Sequence, residues 1–354
     1  MSSTGRPRND VPPSAPHSTA NVATKGRCVA VTGASGFLGS NLIGMLEHDD
    51  RVRRIVAIDL KSAPLETGGE KTRLYEVDLT QPASEARVAE ILADEQVDTL
   101  AHLAFLSSPT HATAWAHELE SLGTMHVTVA AAHARVKKFV LWSLTWLYGA
   151  RPSNPNFITE GAPLRAPASE PFFADKIAAE EQAAKLAQRA PEMVVTVLRT
   201  APILGPTVNN AVAAYLARKV VPTMMGFDPM VQFLHEADAI AAVHLAVMRD
   251  APGVFNIVGD GVVPLSMAIR LAGRVTAPFP HPVAESLTGL GWVAQLVEAP
   301  PSFLKYLRFL CVADGRKARA EMGFRPAYST REAVVDFARA QRLRDVKLLS
   351  ERTA

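Results

Sequence analysis

The chain has 354 residues, of which 48% are apolar and 20% charged, and its formal net charge is +2. This length and apolar content are enough to bury a sizeable core, so they exclude a wholly disordered chain. The nearly balanced charge provides no strongly basic face, and we therefore expect no nucleic-acid partner. No uninterrupted apolar run reaches the roughly 18 residues that a membrane-spanning helix needs, so no transmembrane segment is predicted.

The N-terminal segment 1–25 is rich in Pro, Ser, Thr and Ala and lacks the apolar core of a secretory signal, which predicts a disordered tail. The two cysteines, Cys28 and Cys311, lie far apart in sequence, and Cys28 stands in an apolar run typical of a buried thiol. A disulfide framework or a zinc site would need more ligands at closer spacing. These features predict a protein of the reducing cytoplasm with no metal site.

Beyond the tail, short β-branched runs alternate with longer runs of helical periodicity. This alternation predicts βαβ units and a parallel sheet with helices on both faces. We place a nucleotide-binding half at 26–200 and an interleaved C-terminal lobe at 201–345, with late strands returning to the sheet. The predicted strands are 27–33, 53–60, 72–79, 97–105, 137–144, 193–200 and 253–259. The principal predicted helices are 37–49, 112–135 and 171–189, and 231–248 is predicted as a short strand running into a helix.

The run VTGASGFLG, from Val31 to Gly39, lies between the first predicted strand and the first predicted helix. Its glycines allow a tight turn and a close backbone approach to a pyrophosphate, and the helix N-terminus that follows offers free N–H groups. The spacing of Gly33, Gly36 and Gly39 is G-x-x-G-x-x-G rather than G-x-G-x-x-G. Such clusters also arise for packing alone, but the strand–loop–helix context favours a dinucleotide site.

Asp59 ends the second predicted strand, twenty residues beyond Gly39. A carboxylate at this place can accept hydrogen bonds from the adenosine ribose and would repel a 2′-phosphate, which favours NAD over NADP. Lys61 follows two residues later and could instead attract that phosphate, so NADP remains an alternative. A solvated strand end is the alternative explanation for Asp59 itself.

In combination, these and later segments make the chain resemble the extended short-chain dehydrogenase/reductase family, in its NAD-dependent epimerase/dehydratase branch, from residue 27 onward. The resemblance implies an α/β fold with a Rossmann-type doubly wound parallel sheet and a smaller, mostly helical C-terminal substrate lobe. The segments that carry it are Thr32 with the loop glycines, Asp59, Asp78–Leu79, His102–Leu103–Ala104, Phe139–Val140, Tyr148–Gly149, 198–206, 233–238 and 255–257.

The resemblance also implies a nicotinamide dinucleotide as cofactor, an unidentified small-molecule substrate bound in the variable lobe, and a homodimer as one assembly that the family adopts through its helices. In the family, a Tyr-x-x-x-Lys helix supplies catalysis, and its lysine lowers the tyrosine pKa and holds the nicotinamide ribose. The residues that match the family's cofactor contacts are Gly33, Ser35, Gly36, Phe37, Leu38, Gly39, Asp59, Asp78, Leu79, Leu103, Ala104 and Lys176.

The chain departs from the family pattern at the chemical centre. Lys176 matches the catalytic lysine, but Phe172 stands where the family has tyrosine. The family also has a serine or threonine near the end of the fifth strand, which polarises the reacting group. That position falls on Leu144 here, with hydroxyls on either side at Ser143 and Thr145. A one-residue irregularity in the strand would place Thr145 at the family's position. An asparagine that the family has before a Gly-Thr pair is also replaced, by Glu120 ahead of Gly123 and Thr124.

Phenylalanine neither donates nor accepts a proton, so another group must serve if catalysis survives. The candidates by position are Glu160, Asp175, His111 and Tyr148, each of which also has an ordinary structural explanation. His102 is expected to cap the end of the fourth strand. Lys176 is expected to bind ribose. The alternative role for this lysine is an exposed ion pair with Glu180, four residues later on the same helix.

Two hypotheses of different class therefore stand. The first is an NAD(P)-dependent oxidoreductase of the epimerase/dehydratase type with an atypical catalytic site, acting on a sugar nucleotide or an apolar carbonyl or hydroxyl compound. The second is a catalytically weak or inactive dinucleotide-binding sensor or scaffold. The apolar stretch 282–310 is expected to be lobe core, and its alternative is a site for an apolar substrate or a membrane surface.

Overall fold

A computed structural model describes residues 26–60, 67–295, 297 and 299–353, with side chains described as far as residue 344. The predicted tail at 1–25 and Lys61 lie outside the described residues.

The strands are β1 (Arg27–Thr32), β2 (Val52–Asp59), β3 (Thr72–Glu76), β4 (Thr99–His102), β5 (Lys138–Leu144), β6 (Val194–Thr200), β7 (Ile203–Leu204), β8 (Val220–Met224), β9 (Met230–Val231), β10 (Leu234–His235), β11 (Gly253–Ile257), β12 (Val263–Pro264) and β13 (Val275–Phe279). The helices are α1 (Phe37–Glu47), α2 (Ser84–Asp94), α3 (Thr113–His117), α4 (Gly123–His133), α5 (Pro171–Arg189), α6 (Ala211–Ala217), α7 (Glu236–Met248), α8 (Leu265–Leu271), α9 (His281–Val293) and α10 (Thr330–Thr353).

Seven strands form one parallel sheet in the order β11-β6-β5-β4-β1-β2-β3. The chain builds outward from β1 through β2 to β3 and then crosses to β4 on the other side of β1. This reversal creates a crevice beyond the carboxyl ends of β1 and β4, which is where doubly wound sheets bind their ligands. The predicted α/β fold with a Rossmann-type doubly wound parallel sheet is confirmed.

Helices cover both faces of this sheet, as the β-branched, fully buried strands require. On one face α1 packs beside α7, with Leu42, Leu46 and Val243 in a common core. On the other face α2, α4 and α5 pack side by side, and Ile91 and Val127 belong to a second core. The sheet is therefore a fixed platform whose carboxyl edge carries the loops of the site.

The C-terminal lobe has its own core, which includes Leu216, Val221, Ile269 and Phe337. Helices α6, α8 and α10 surround it together with three two-stranded pairings, β7 with β10, β9 with β12 and β8 with β13. The strand β11 follows much of this lobe in sequence but lies in the main sheet beside β6.

The single helix predicted at 112–135 is wrong in detail. Between α3 and α4 the backbone forms a π-helical turn over Glu118–Leu122. Such a turn carries an extra residue and redirects the side chains after it, and it is frequent at functional sites. Here Glu120 is 1% exposed, pointing away from solvent in a helix that is otherwise rich in exposed residues. Helical periodicity alone does not reveal this change of direction.

Glu95, at the end of α2, ties that helix to two strands. Its carboxylate accepts hydrogen bonds from Arg54 of β2 at 3.0 Å and from Arg73 and Tyr75 of β3 at 2.8 and 2.6 Å. Burial tends to raise the pKa of Glu95, but the hydrogen bonds from Tyr75 and Arg73 outweigh burial and hold this pKa below its ordinary value. The carboxylate is therefore a junction between α2 and the β2–β3 edge.

We expect Glu95→Ala to lower the free energy of unfolding by about 1–2 kcal/mol, because the Tyr75 hydroxyl and the half-buried Arg54 lose their acceptor. Glu90→Ala is the matched control, because Glu90 pairs with Arg87 on the exposed face of the same helix and such pairs contribute little. Urea unfolding followed by circular dichroism measures both. Equal losses in the two variants would show that Glu95 is not a junction.

Candidate active site

The loop between β1 and α1 packs directly on the chain that follows β4. Gly33 has φ +69, and a Cβ there would lie 2.7 Å from the backbone of Ala104. A Cβ on Gly39 would lie 2.1 Å from the Gly33 carbonyl oxygen. Both positions therefore require glycine, one for its positive φ and its contact with Leu103–Ala104 and the other for the close return of the helix. The loop from Gly33 to Gly39 is therefore a concave backbone surface, called the cradle below, which side chains at these positions would fill.

The N-terminus of α1 opens into this cradle. Gly36 precedes the helix, and no side chain caps it, so the first-turn N–H groups at Phe37 and Leu38 remain available to an anion. The backbone N–H of Ser35 donates to Asp59 Oδ2 at 2.8 Å. Asp59 thus lies at the carboxyl end of β2 in contact with the loop, as the sequence predicts for a ribose-binding acid.

Asp78 and Leu79 follow β3 and border the same edge of the sheet. Burial acts to raise the pKa of Asp78, but hydrogen bonds from the hydroxyl and N–H groups of Thr80 outweigh it and lower this pKa. Leu79 is buried, and its Cβ would lie 3.3 Å from a Cβ on Gly123. The geometry keeps both residues available for the cofactor contact that the resemblance implies, which stays a prediction.

His102 ends β4 and is completely buried. Its Nδ1 lies 2.6 Å from the Thr32 hydroxyl and its Nε2 lies 3.0 Å from the Thr124 hydroxyl. Thr124 donates its own proton to the Glu120 carbonyl oxygen. Nε2 therefore donates to Thr124, and Nδ1 accepts from Thr32. His102 is a structural link between β1, β4 and the turn that carries Glu120, and it does not line the cavity described below.

Lys176 and Glu120 form a buried ion pair, with 2.5 Å between Nζ and Oε1. The ammonium also donates to the Leu106 carbonyl at 3.1 Å and lies 4.2 Å from the centre of the Phe172 ring. Glu120 Oε1 accepts in addition from the Leu106 N–H at 2.6 Å. Burial raises the pKa of Glu120, and the charge of Lys176 opposes that rise.

The alternative of an exposed Lys176–Glu180 pair is wrong. Lys176 is 3% exposed and Glu180 is buried as well. Glu180 instead accepts from the Arg199 guanidinium at 2.6 to 3.0 Å and from the Ser143 hydroxyl at 2.5 Å. The two neighbouring turns of α5 therefore hold two separate ion pairs, and only that of Lys176 reaches the crevice.

A cavity of about 350 Å³ opens between the cradle, α5 and the lobe. Among its wall residues, Lys176 is the single titratable side chain. The remaining wall is largely apolar and aromatic. The wall consists of Gly36, Phe37, Leu38, Leu103, Phe105, Leu106, Ser107, Pro109, Trp142, Ser143, Leu144, Trp146, Phe172, Lys176, Thr200, Pro202, Ile203, Val208, Asn209, Asn210, Ala211, Val212 and Phe303.

The predicted catalytic hydroxyls are poorly placed to act on a molecule in this cavity. Ser143 lies in the wall, but its hydroxyl donates to Glu180. Thr145 is buried outside the wall, whereas Leu144 belongs to it. The reason is local: β5 continues without irregularity to Leu144, and a 3₁₀ turn begins at Thr145.

The four alternative proton donors also lie outside the cavity wall. Tyr148 donates to Asn256 Oδ1 at 2.8 Å, and Glu160 accepts from the Asn256 N–H at 2.9 Å. Asp175 pairs with His117 at 2.6 Å on the other side of α5. His111 stacks on Trp292 with 3.9 Å between ring centres. Each has a structural partner, and among the residues of the cavity wall Lys176 is the titratable one.

The pairing of Glu120 with Lys176 is the feature of this candidate site that the sequence did not predict, although Glu120 stands where the resemblance implies asparagine. A charged residue where the resemblance implies a neutral one is the signal that could have found it. Trp146 and Phe303 are likewise missed wall residues. Their contact depends on the distant segment 301–307 meeting the 3₁₀ turn Thr145–Tyr148, which no local pattern encodes.

The stretch 282–310 divides into two parts, so the expectation of lobe core is wrong for the first. Helix α9 has no fully buried residue, and Leu290 and Val293 are 71% and 83% exposed. The 3₁₀ helix Pro301–Leu307 instead packs Phe303 against Phe172 and Trp146. In the described part of the chain, no helix is long and apolar enough to cross a membrane.

Comparison with known proteins agrees with this architecture. The family model of the NAD-dependent epimerase/dehydratase family matches residues 29–258. The chain belongs to this family. The match runs from β1 through β11 and so includes the cradle, β4, α5 and Lys176.

Individual proteins and solved structures are similar to this chain over most of its length. An uncharacterised protein of Mycobacterium tuberculosis is 33% identical, over 90% of this chain and 85% of its own length. The 3-diazoavenalumate denitrifying reductase of a Streptomyces species is 27% identical, over 85% and 96% respectively. The UDP-glucose 4-epimerase of Thermus thermophilus in complex with NAD is similar in fold, with a TM-score of 0.68 at 20% identity, over 89% of this chain and 99% of that chain.

The burial of His102 makes a pH-dependent contribution to stability. Burial lowers its pKa to about 3 from an ordinary value of 6.5. The unfolded chain therefore binds one more proton than the folded chain between these values, and stability falls as the pH drops below 6.5. The free energy of unfolding should decrease between pH 6 and pH 5, and we expect this decrease to be about 1 kcal/mol smaller in His102→Gln than in the unmodified protein. Urea unfolding at each pH measures it.

His133→Gln is the control, because His133 is exposed at the end of α4. The proposal for His102 fails if both variants show the same slope as the unmodified protein.

Proposed function

We propose that this protein is an NAD-dependent oxidoreductase of the epimerase/dehydratase type, in which Lys176, paired with Glu120, carries the proton that tyrosine carries in the family pattern. The observation that supports this assignment is that Lys176 is the single titratable side chain in the cavity wall. The substrate is an apolar carbonyl or hydroxyl compound, because the wall around Lys176 is formed by Phe172, Leu144 and Trp146.

The cradle suits NAD. A dinucleotide pyrophosphate needs backbone N–H groups at close range, and Gly33, Gly36 and Gly39 leave the space for it at the start of α1. Asp59 provides acceptors for the ribose hydroxyls, and its charge disfavours a 2′-phosphate. When bound, NAD supplies a group that accepts and returns hydride. The reductase named among the relatives is consistent with hydride chemistry on this scaffold.

The residues of the chain supply the proton transfer. For reduction of a carbonyl, the Lys176 ammonium donates a proton to the substrate oxygen as that oxygen gains negative charge, and Nζ becomes neutral. For oxidation of a hydroxyl, neutral Nζ accepts the proton. The Glu120 carboxylate stabilises the ammonium form and holds Nζ in place, and the Leu106 carbonyl fixes its direction. Phe172 contributes a cation–π contact and excludes water.

A second function, dinucleotide binding without turnover, is favoured by one observation. Phe172 and Leu144 occupy both wall positions at which the family pattern has hydroxyls. In that case the Lys176–Glu120 pair is a structural link between α5 and the π-helical turn. The two functions differ in turnover itself, because a binding protein has none to lose, whereas removal of the proton carrier lowers the rate of an enzyme.

The cofactor assignment predicts micromolar binding of NAD⁺ and weaker binding of NADP⁺ in a calorimetric titration. Asp59→Asn should weaken NAD⁺ binding by about tenfold and reduce the preference over NADP⁺, because a charge-assisted hydrogen bond is lost and the repulsion of a 2′-phosphate disappears. Asp50→Asn serves as the control, because Asp50 is exposed beyond α1. Absence of binding for both cofactors would refute the assignment.

The proton assignment predicts that Lys176→Met combined with Glu120→Gln lowers kcat by about 10²–10⁴. The double substitution avoids leaving a buried carboxylate without its partner. Turnover is followed by reduced nicotinamide absorbance, on a panel of apolar aldehydes, ketones and UDP-sugars. Lys185→Met is the control on the exposed face of the same helix.

Phe172→Tyr separates the two functions. If the unmodified protein turns substrate over and the double variant retains that rate, Lys176 is not the proton carrier. If the unmodified protein is inactive and Phe172→Tyr creates activity, the chain is a binding protein that lacks its acid/base group.

A further inference from the structure

A second chamber of about 160 Å³ adjoins the cavity at Lys176. The two share four wall residues, Trp146, Ala211, Val212 and Phe303. The second chamber lies inside the lobe, between α6, the start of α8 and the 3₁₀ helix Pro301–Leu307, and Thr288 of α9 closes one side. The two spaces are therefore adjacent, and a molecule long enough to extend past these four residues would occupy both.

The wall of the second chamber is aromatic and aliphatic. The hydroxyl of Tyr215 donates to the Pro222 carbonyl at 2.7 Å, and that of Tyr306 donates to the Trp146 carbonyl at 2.6 Å. Both phenols thus satisfy their donors within the protein, and both residues line the chamber. The charged residue in this wall is Arg218, which is exposed at the end of α6.

The polar groups of the first cavity are also largely engaged. Thr200 donates to the Ser143 carbonyl at 3.0 Å, and Ser107 donates to the Asn209 carbonyl at 3.4 Å. The Asn210 side chain caps α6 and donates to the Ile203 carbonyl. A sugar diphosphate would need several cations and many free donors and acceptors, because each buried polar group left unpaired costs about 1–3 kcal/mol. These walls do not provide them.

An aromatic ring fits the second chamber in size and chemistry. An apolar protein cavity of about 150 Å³ can hold one benzene molecule, and this chamber has about 160 Å³. Rings of Tyr215, Phe233, Phe303 and Tyr306 surround it. Stacked and edge-to-face contacts between rings add about 0.5–1.5 kcal/mol to the burial of their area.

We propose that the second chamber is the subsite for an aryl group of the substrate, whose carbonyl or hydroxyl carbon lies in the first cavity beside Lys176. The substrate class is thus an aryl-substituted carbonyl or alcohol rather than a sugar nucleotide. This inference rests on the proposed function for the identity of the reacting group, but the aryl subsite itself exists without turnover.

The test measures binding alone, by calorimetry on the full chain without cofactor. Cinnamyl alcohol is the aryl probe, hexanol is an aliphatic probe of similar polarity, and UDP-glucose is the sugar-nucleotide probe. We expect cinnamyl alcohol to bind about threefold to tenfold more tightly than hexanol, from the ring contacts, and UDP-glucose not to bind. Val231→Phe, which fills the chamber, should weaken cinnamyl alcohol binding at least tenfold.

Val220→Phe is the matched control, because Val220 is 56% exposed and lies outside both walls. Thr288→Phe is the second chamber-filling variant, and it lies on α9, which has no fully buried residue to disturb. NAD⁺ titration of each variant verifies that the sheet and cradle remain folded. The proposal is overturned if hexanol or UDP-glucose binds as tightly as cinnamyl alcohol, or if both filling variants leave its binding unchanged.

These outcomes are separate from those of the proposed function. Binding of cinnamyl alcohol that the filling variants weaken, without turnover of any aryl carbonyl compound, supports the subsite and contradicts the oxidoreductase. Turnover of UDP-sugars without binding of cinnamyl alcohol supports the oxidoreductase but contradicts both the apolar substrate class and the subsite.

Discussion

The buried ion pair of Lys176 and Glu120 is the constraint around which the rest of the site is arranged. Two charges taken out of water are stabilised only by each other and by further hydrogen bonds. Here the N–H and carbonyl groups of Leu106 complete the pair. Removing one partner of such a pair costs about 3–5 kcal/mol, since the other charge remains buried. The pair therefore joins α5, the loop after β4 and the π-helical turn into one unit.

A continuous set of hydrogen bonds connects this unit to the centre of the sheet. Thr32 at the end of β1 bonds to His102 at the end of β4, His102 bonds to Thr124, and Thr124 bonds to the carbonyl of Glu120. The strands β1 and β4 flank the topological switch point, so the cradle floor and the acid that holds Lys176 share one rigid support. This explains how a side chain on α5 is positioned relative to a loop that lies far from it in sequence.

The features that the sequence predicts are those encoded by residues close together in the chain. The strand–loop–helix around Gly33 and Gly39 and the bounds of α5 follow from periodicity, from glycine geometry and from Pro171 at the helix start. The ion-pair partner of Lys176 cannot be predicted in this way, because Glu120 lies in a π-helical turn 56 residues earlier in the chain. The two-chamber wall was also beyond local patterns. It requires Phe303 to meet Phe172, and apolar composition at 282–310 cannot distinguish that contact from the exposed position of α9.

The ion pair also limits the evolutionary routes open to the chain. Replacing Glu120 alone by a neutral asparagine would leave the Lys176 charge buried without its carboxylate. Replacing Phe172 alone by tyrosine would bring a hydroxyl to an ammonium already bound to a carboxylate. The first of these single steps passes through a less stable protein. Positions 120 and 176 are therefore expected to change together among descendants of this chain, as one inherited unit.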